Sequence, residues 1–356
     1  MKIVQVAHAI TKGDAASNQI LAMDVAFKEL GYEAEIYSGK FDKEFKGRIC
    51  SFSQFVPDKQ ALLIYHMTTG TSFTNAILSY PYPIVLYYHN ITPARYFIGN
   101  AWGSCLKSIR GRYQLSRLKD KTFFAWTASE YSREELIGLG FKNTAVLPIL
   151  VNFDEYRNMP LEELLYSCYR DGKLNILVVG RVTPHKKQDE AIRLVSYYKE
   201  HISDQIRLII VGNPKKSYGT KLHALIRELD LEENIILTGK VSFADLCTYY
   251  RLSDILLCLS EHEGFCVPIV ESMIFDKTII AYAATAVAET VGGAGILLQN
   301  KEIAEMANII HQTMSSSEIQ NNLAEERKKR LVSLDHQHLI GKLSADLQQI
   351  TKLIKS

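Results

Sequence analysis

A short apolar run, Ile255 to Leu259, passes into a polar loop, Ser260 to Gly264, and Pro268 follows where a helix would begin. A run this short, bounded by turn residues, fits a strand buried on both faces, as in a parallel sheet. Proline is tolerated in a first helical turn because its missing N–H would have no partner there. A strand–loop–helix unit of this kind sets free N–H groups and the positive end of a helix at the carboxyl edge of a sheet. That is a place to hold an anion, most naturally a phosphate. Two carboxylates flank it: Glu263 in the loop and Glu271 in the first helical turns, with seven residues between them. Beside a phosphate, two carboxylates suit hydroxyl groups such as those of a ribose and a sugar.

The same alternation runs through the chain in two series. The first has strands at 3–7, 33–37, 61–67, 83–88, 122–127 and 144–150; the second at 174–179, 206–211, 234–238, 255–260, 278–282 and 295–298. Between them apolar residues recur at helical spacing, as at Ile20, Met23, Phe27 and Leu30 before Gly31. Ser132 with Glu135 has the form of a capping box. Alternating strands and helices imply an α/β chain with parallel sheets covered on both faces. Residues 152–172, with Pro160 and Asp171-Gly172, suit a linker between a domain at 1–158 and a second at 172–335; residues 336–356 form an amphipathic terminal helix. Residues 41–60 carry no clear pattern.

At 356 residues the chain has room for two domains, and a net charge of +2 gives no case for nucleic acid. Six scattered cysteines without a Cys-x-x-Cys pair are expected to be reduced, buried thiols. No His-x-x-x-His or Asp-x-Asp pattern marks a metal site, so no metal cofactor is expected. Met1 to His8 reads as a strand rather than a signal peptide.

The stretch Ser260-Glu-His-Glu-Gly-Phe-Cys-Val-Pro-Ile-Val-Glu-Ser-Met273 resembles the Glu-x(7)-Glu signature of retaining glycosyltransferase family 4. Gly180-Arg181 followed by Lys186 resembles that family's motif for the donor diphosphate. The resemblance implies the GT-B fold, two Rossmann-like domains with parallel sheets facing a central cleft. The first domain would serve the acceptor and the second a nucleotide-sugar donor, with the terminal helix packing back on the first. It implies a metal-independent hexosyltransferase that acts on a glycan or lipid-linked acceptor, as bacterial enzymes of surface polysaccharide synthesis do, in the cytoplasm or at the inner face of the cell membrane. Arg181 and Lys186 would neutralise the diphosphate, and Glu271 would bind the ribose. Glu263, with the backbone of Gly264, Phe265, Cys266 and Val267, would hold sugar and phosphate. Val241, in Gly239-Lys-Val-Ser242, falls where the family's backbone receives the base, although Ser242 also suits a helix N-cap. Gly13 lies in a loop like the family's small-residue loop, and His89 ends a strand where a sugar contact is implied. His66 is taken as a structural hydrogen bonder and Lys187 as solvent-exposed. A non-catalytic nucleotide-binding subunit on the same fold is the competing reading.

Residues 95–121 carry Lys107, Arg110, Arg112, Arg117, Lys119 and Lys121 with Trp102 and Tyr113, against Asp120 alone. Such a run suits either contact with an anionic membrane or a solvated helical face.

Overall fold

A computed structural model describes residues 2–99, 101–214 and 216–355. The chain divides into two compact units, Met1–Asn152 with Leu334–Ser356, and Phe153–Ser333.

The first unit runs β1 (Lys2–Ala7), α1 (Ala15–Glu29), β2 (Glu33–Ser38), β3 (Cys50–Ser51), β4 (Ala61–Met67), α2 (Ser72–Leu78), β5 (Ile84–Tyr88), α3 (Trp102–Leu118), β6 (Thr122–Thr127), α4 (Glu130–Gly138) and β7 (Thr144–Val146). Its strands are parallel in the order β3-β2-β1-β4-β5-β6-β7.

The second unit begins with two short helices, α5 (Phe153–Arg157) and α6 (Glu163–Cys168). There follow β8 (Leu174–Val179), α7 (Gln188–His201), β9 (Ile206–Val211), α8 (Lys216–Glu228), β10 (Ile235–Gly239), α9 (Phe243–Leu252) and β11 (Ile255–Cys258). It ends with α10 (Val267–Ile274), β12 (Thr278–Tyr282), α11 (Val287–Val291), β13 (Ile296–Leu298), α12 (Ile303–Ser315) and α13 (Ser317–Ser333). The parallel order here is β10-β9-β8-β11-β12-β13. The chain then returns to the first unit as α14 (His336–Lys355).

Strand periodicity decides which helix each side chain meets, because alternate residues point to opposite faces. In the first sheet Ile3, Ile64, Tyr87 and Trp126 pack under α1 and α14, while Val4, Tyr65, Leu86 and Ala125 pack under α2, α3 and α4. Leu339, Leu343, Leu347 and Ile350 of α14 are fully part of that core, and Trp126 Nε1 donates to Asp346 at 2.8 Å. In the second sheet Ile176, Leu208 and Leu257 meet α7, α8 and α12, while Leu177, Ile209 and Leu256 meet α9, α10 and α11.

Several sequence expectations change in detail. Residues 41–60 contribute β3, an edge strand too short to show a period, between two 3-10 turns. The α4 helix is capped by Ser129, whose hydroxyl accepts from the Ser132 N–H; Glu135 instead pairs with Arg112. Residues 153–171 are not a free linker but belong to the second unit. Arg251 of α9 donates to the carbonyls of Arg157 and Met159 at 3.2 and 2.7 Å and so caps the end of α5. Cys105, Cys247, Cys258 and Cys266 are buried free thiols, but Cys50 and Cys168 are exposed. Among the described residues no helix is long and apolar enough to cross a membrane.

Candidate active site

In a doubly wound sheet the crevice opens where the strand order reverses, at the carboxyl ends of the two central strands. In the second unit that point lies between β8 and β11. Their ladder pairs Ile255 with Ile176 and Leu256 with Leu177 and goes no further, so the loops after Val179 and Cys258 diverge. Those loops carry Arg181 with Lys186, and Glu263 through Val267.

Lys186 and Glu263 meet there. The Lys186 ammonium donates to Glu263 Oε1, with only 14% and 10% of the two side chains exposed. Burial alone would pull the ammonium down, but the Glu263 carboxylate more than offsets it and holds Lys186 above the ordinary lysine value. Burial likewise pushes Glu263 up, and Lys186, helped by the Ser260 hydroxyl, brings it below the ordinary carboxylate value. Both groups are therefore charged at neutral pH. The Lys186 loop opens at Gly180, whose φ of 134° suits glycine. His185, buried next to the pair, is pushed down to about 3 by burial and by the Lys186 charge, and is neutral.

The loop that carries Glu263 is held by its backbone. The Glu263 N–H donates to Thr285 Oγ1 at 2.8 Å, and the same hydroxyl donates to the Glu263 carbonyl at 3.0 Å. The Thr290 hydroxyl donates to the Phe265 carbonyl. Cys266 is the N-cap of α10, at φ 79°, and the N–H groups of Phe265 and Cys266 donate to nothing among the described residues. Cys266, Thr285 and Lys187 all have positive φ without being glycine. Left-handed backbone at three such residues around one crevice is strain of the kind that gathers at functional sites. Arg181 is exposed at the start of the Lys186 loop and makes no ion pair among the described residues. Val241 packs in the same apolar cluster as Cys266 and Ile269.

Glu271 lies further along α10 and is buried. Its Oε1 accepts from the Tyr156 hydroxyl and its Oε2 from the Tyr250 hydroxyl, each at 2.6 Å. Burial raises the Glu271 carboxyl above its usual value, and the two phenols hold back part of that rise.

His89 and Gly13 belong to the first unit. Gly13 is left-handed at φ 77° in the loop after β1. His89 follows β5, and its Nε2 lies 3.1 Å from His66 Nδ1, while His66 Nε2 lies 3.0 Å from Gln5 Oε1. The Gln5 amide donates to the Ile20 carbonyl at 3.1 Å, which turns its oxygen toward His66. His66 must then donate from Nε2 and accept at Nδ1, so His89 donates from Nε2 and keeps a lone pair on Nδ1. Burial lowers His89 to about 4, so this neutral form holds at physiological pH.

Over most of the second unit, residues 169–330, the sequence matches the family described as Glycosyl transferases group 1. The match takes in under half of the 356-residue chain. Within the wider chain, 133 residues are 29% identical to D-inositol 3-phosphate glycosyltransferase of Kineococcus radiotolerans, covering 34% of this chain and 30% of that protein. A stretch of 104 residues is 31% identical to the O-antigen chain mannosyltransferase RfbU of Salmonella typhimurium, covering 29% of this chain and 28% of that one. The matched stretches thus span under a third of either relative. The crystal structure of Anabaena Alr3699/HepE in complex with UDP and glucose superposes with a TM-score of 0.76 at 17% identity, covering 98% of this chain and 100% of that one. The fold is GT-B, with two Rossmann-like units in one chain.

The second unit thus gathers Arg181, Lys186, Glu263, Gly264, Phe265, Cys266 and Val267 about one strand crevice, with Glu271 and Val241 behind it. Sequence reading missed Tyr156, Tyr250, Thr285 and His185. Tyr250 carried a signal, a tyrosine in the helix just before the strand that leads to Glu263; Tyr156 carried none. Lys187 is not merely solvated: it pairs with Glu190 and Glu261, each at 3.1 Å. Ser242 caps α9 in a reciprocal pair with Asp245, at 3.0 and 3.2 Å. The crevice also brings ligand atoms of Cys258, Glu263 and Cys266 within 4.8 Å of one another, a grouping invisible in their spacing. The Lys186 ammonium already occupies Glu263, which opposes a cation at that place.

Proposed function

We propose that the chain is a retaining glycosyltransferase that moves a hexose from a nucleoside diphosphate to a hydroxyl of a glycan or lipid-linked glycan, without a metal ion. The observation that carries this reading is the buried Lys186–Glu263 pair at the β8/β11 crevice, beside the unpaired N–H groups of Phe265 and Cys266. Of the three N–H bonds of Lys186, one is engaged with Glu263, and two remain for an oxyanion. With Arg181 and the first turn of α10 they match a diphosphate, and their worth grows as charge builds on the leaving oxygen. Glu271, buried and oriented by two tyrosines, keeps lone pairs for the ribose hydroxyls. On this reading the base is received at Val241.

Glu263 is tied to an ammonium and held ionised, so it is neither a proton donor nor a free nucleophile. Its second oxygen is suited to a sugar hydroxyl. The step then runs by attack of the acceptor oxygen on the face from which the diphosphate leaves. The anomeric C–O bond to phosphate breaks, the new C–O bond forms on the same side, and the acceptor's proton passes to the departing phosphate oxygen. His89, with its free Nδ1 lone pair, accepts a hydrogen bond from a sugar hydroxyl. The relatives are named for transfer to an inositol phosphate and to an O-antigen chain, and the Anabaena structure holds UDP and glucose. These names favour a nucleotide-sugar donor and a surface-polysaccharide acceptor.

The test is a panel of UDP-, GDP- and dTDP-sugars scored by thermal shift, with linkage analysis of any product. A true donor raises the melting point, and further with the logarithm of its concentration once the site is saturated. The product should keep the donor's anomeric configuration. Inversion would sink the mechanism, and a flat response to every nucleotide sugar would sink the function.

A further inference from the structure

Helix α3 presents an apolar stripe to solvent. Trp102, Leu106, Ile109 and Tyr113 are 66%, 65%, 55% and 64% exposed. Steps of four, three and four residues set all four on one line along the helix. Of the large apolar side chains exposed among the described residues, no other helix carries such a row.

The stripe cannot turn inward, because the opposite face of α3 is fixed at close range. A Cβ at Gly111 would lie 2.6 Å from the backbone nitrogen of Gly70, so the helix touches the loop before α2 backbone to backbone. Gln114 donates to the Thr71 carbonyl and to Asn75, each at 2.8 Å. Arg112 pairs with Glu135, and Cys105, Leu115 and Leu118 are buried.

The charge beside the stripe is of one sign. Helix α3 contains no aspartate or glutamate. Lys107, Arg110 and Arg117 are exposed and enter no ion pair among the described residues. A protein surface would be expected to answer three uncompensated cations with carboxylates and the stripe with a matching groove. An anionic bilayer answers both at once, with phosphates for the cations and the acyl boundary for the side chains. Tryptophan and tyrosine are at home at that boundary. We infer that α3 lies along the surface of an anionic phospholipid membrane, with Trp102, Leu106, Ile109 and Tyr113 seated in the interface and Lys107, Arg110 and Arg117 on the headgroups. This goes beyond the catalytic reading and does not depend on it, since membrane binding is measured without turnover.

Trp102 serves as its own probe. The other tryptophan, Trp126, is fully buried, so a change in emission on adding lipid reports on α3. The full chain is mixed with vesicles of phosphatidylglycerol and phosphatidylcholine, and separately with phosphatidylcholine alone. We expect sedimentation and a blue shift with the anionic vesicles at low salt, and little of either with the neutral ones. Each cation at such a surface is worth about a fivefold factor in affinity, so Arg110→Glu with Arg117→Glu should weaken binding by well over about tenfold. Leu106→Ser with Ile109→Ser should weaken it at every salt concentration. All four positions are exposed, and far-ultraviolet circular dichroism verifies that each variant is folded. Three outcomes overturn the inference: no binding of the wild type to anionic vesicles at low salt, equal binding by the Leu106→Ser/Ile109→Ser variant, or self-association abolished by that variant, which would make the stripe an interface between two copies.

Discussion

His89 donates through Nε2 to His66 Nδ1, 3.1 Å away, and His66 donates in turn to Gln5. The outer imidazole thus has its tautomer set from within the first unit. His66→Phe should leave His89 in place but free its tautomer. If His89 receives a sugar hydroxyl, kcat should fall about 10- to 100-fold, the usual cost of losing an orienting partner. Calorimetric affinity for the free nucleotide should not move. An unchanged kcat in the folded variant removes His89 from the reaction.

Lys186→Ala should lower kcat by about 100-fold or more, with a smaller effect on donor binding, because its charge matters most as the leaving group departs. It should also destabilise the fold by about 3 kcal/mol, because it strands a buried carboxylate. The pH dependence follows from the directions of the two shifts. Glu263 is lowered from 4.5, so its contribution is full above that value and fades as pH falls through its folded pKa. Lys186 is raised from 10.5, so its contribution is full below that value and is lost as pH rises beyond it. The melting-point gap between wild type and variant should therefore be widest between those limits and close in acid. A gap that does not narrow as the pH is lowered toward acid denaturation would contradict the pairing.

Tyr156→Phe tests how Glu271 is held. The hydroxyl it removes favours the ionised carboxylate, and Glu271 is already raised from 4.5 by burial. A raised carboxyl is unstrained while protonated, and its cost appears as pH climbs above the unfolded value. The variant should match wild type in acid and lose about 1–2 kcal/mol at neutral pH. Glu271→Gln should weaken the free nucleoside diphosphate and the sugar donor alike by about tenfold, since both carry the ribose. Calorimetry that shows unchanged affinity for that nucleoside diphosphate would take Glu271 out of the ribose site.

On the proposed reading chelation should leave turnover intact, because Arg181, Lys186 and the first turn of α10 would supply the positive charge for the diphosphate. The grouping of Cys258, Glu263 and Cys266 gives this expectation a sharper form. Loss of activity in EDTA, restored by magnesium or manganese, would refute it.

The strands of both sheets were legible because burial on both faces leaves short apolar runs that nothing else in such a chain resembles. The exception, Cys50–Ser51, pairs with β2 over two residues, too few for any pattern. Lys186, Glu263 and Glu271 were legible because the loops after β8 and β11 are local in sequence. What escaped was whatever reaches those groups from afar: Tyr156 is 115 residues from Glu271, and Thr285 is 22 from Glu263. The capping serine of α4 was misplaced because Ser132 with Glu135 has the capping-box spacing while Ser129, the residue that caps, has Ser132 and Arg133 at those distances, and only the backbone tells which serine stands outside the helix.

Helix α14 closes the core of the first unit although it is made after the whole of the second. Until it emerges from the ribosome, α1 alone covers that side of the sheet, and Trp126 lacks its partner Asp346. The second unit does not wait for later sequence in this way and can fold as soon as Ser333 is clear. Synthesis order and folding order are therefore expected to run opposite ways, and the nascent first unit becomes a natural client for chaperones. A chain ended after Ser333 should show protected amides in the second unit and rapid hydrogen exchange in β1, β4, β5 and β6. Slow exchange in those strands would mean that the first sheet holds without its last helix.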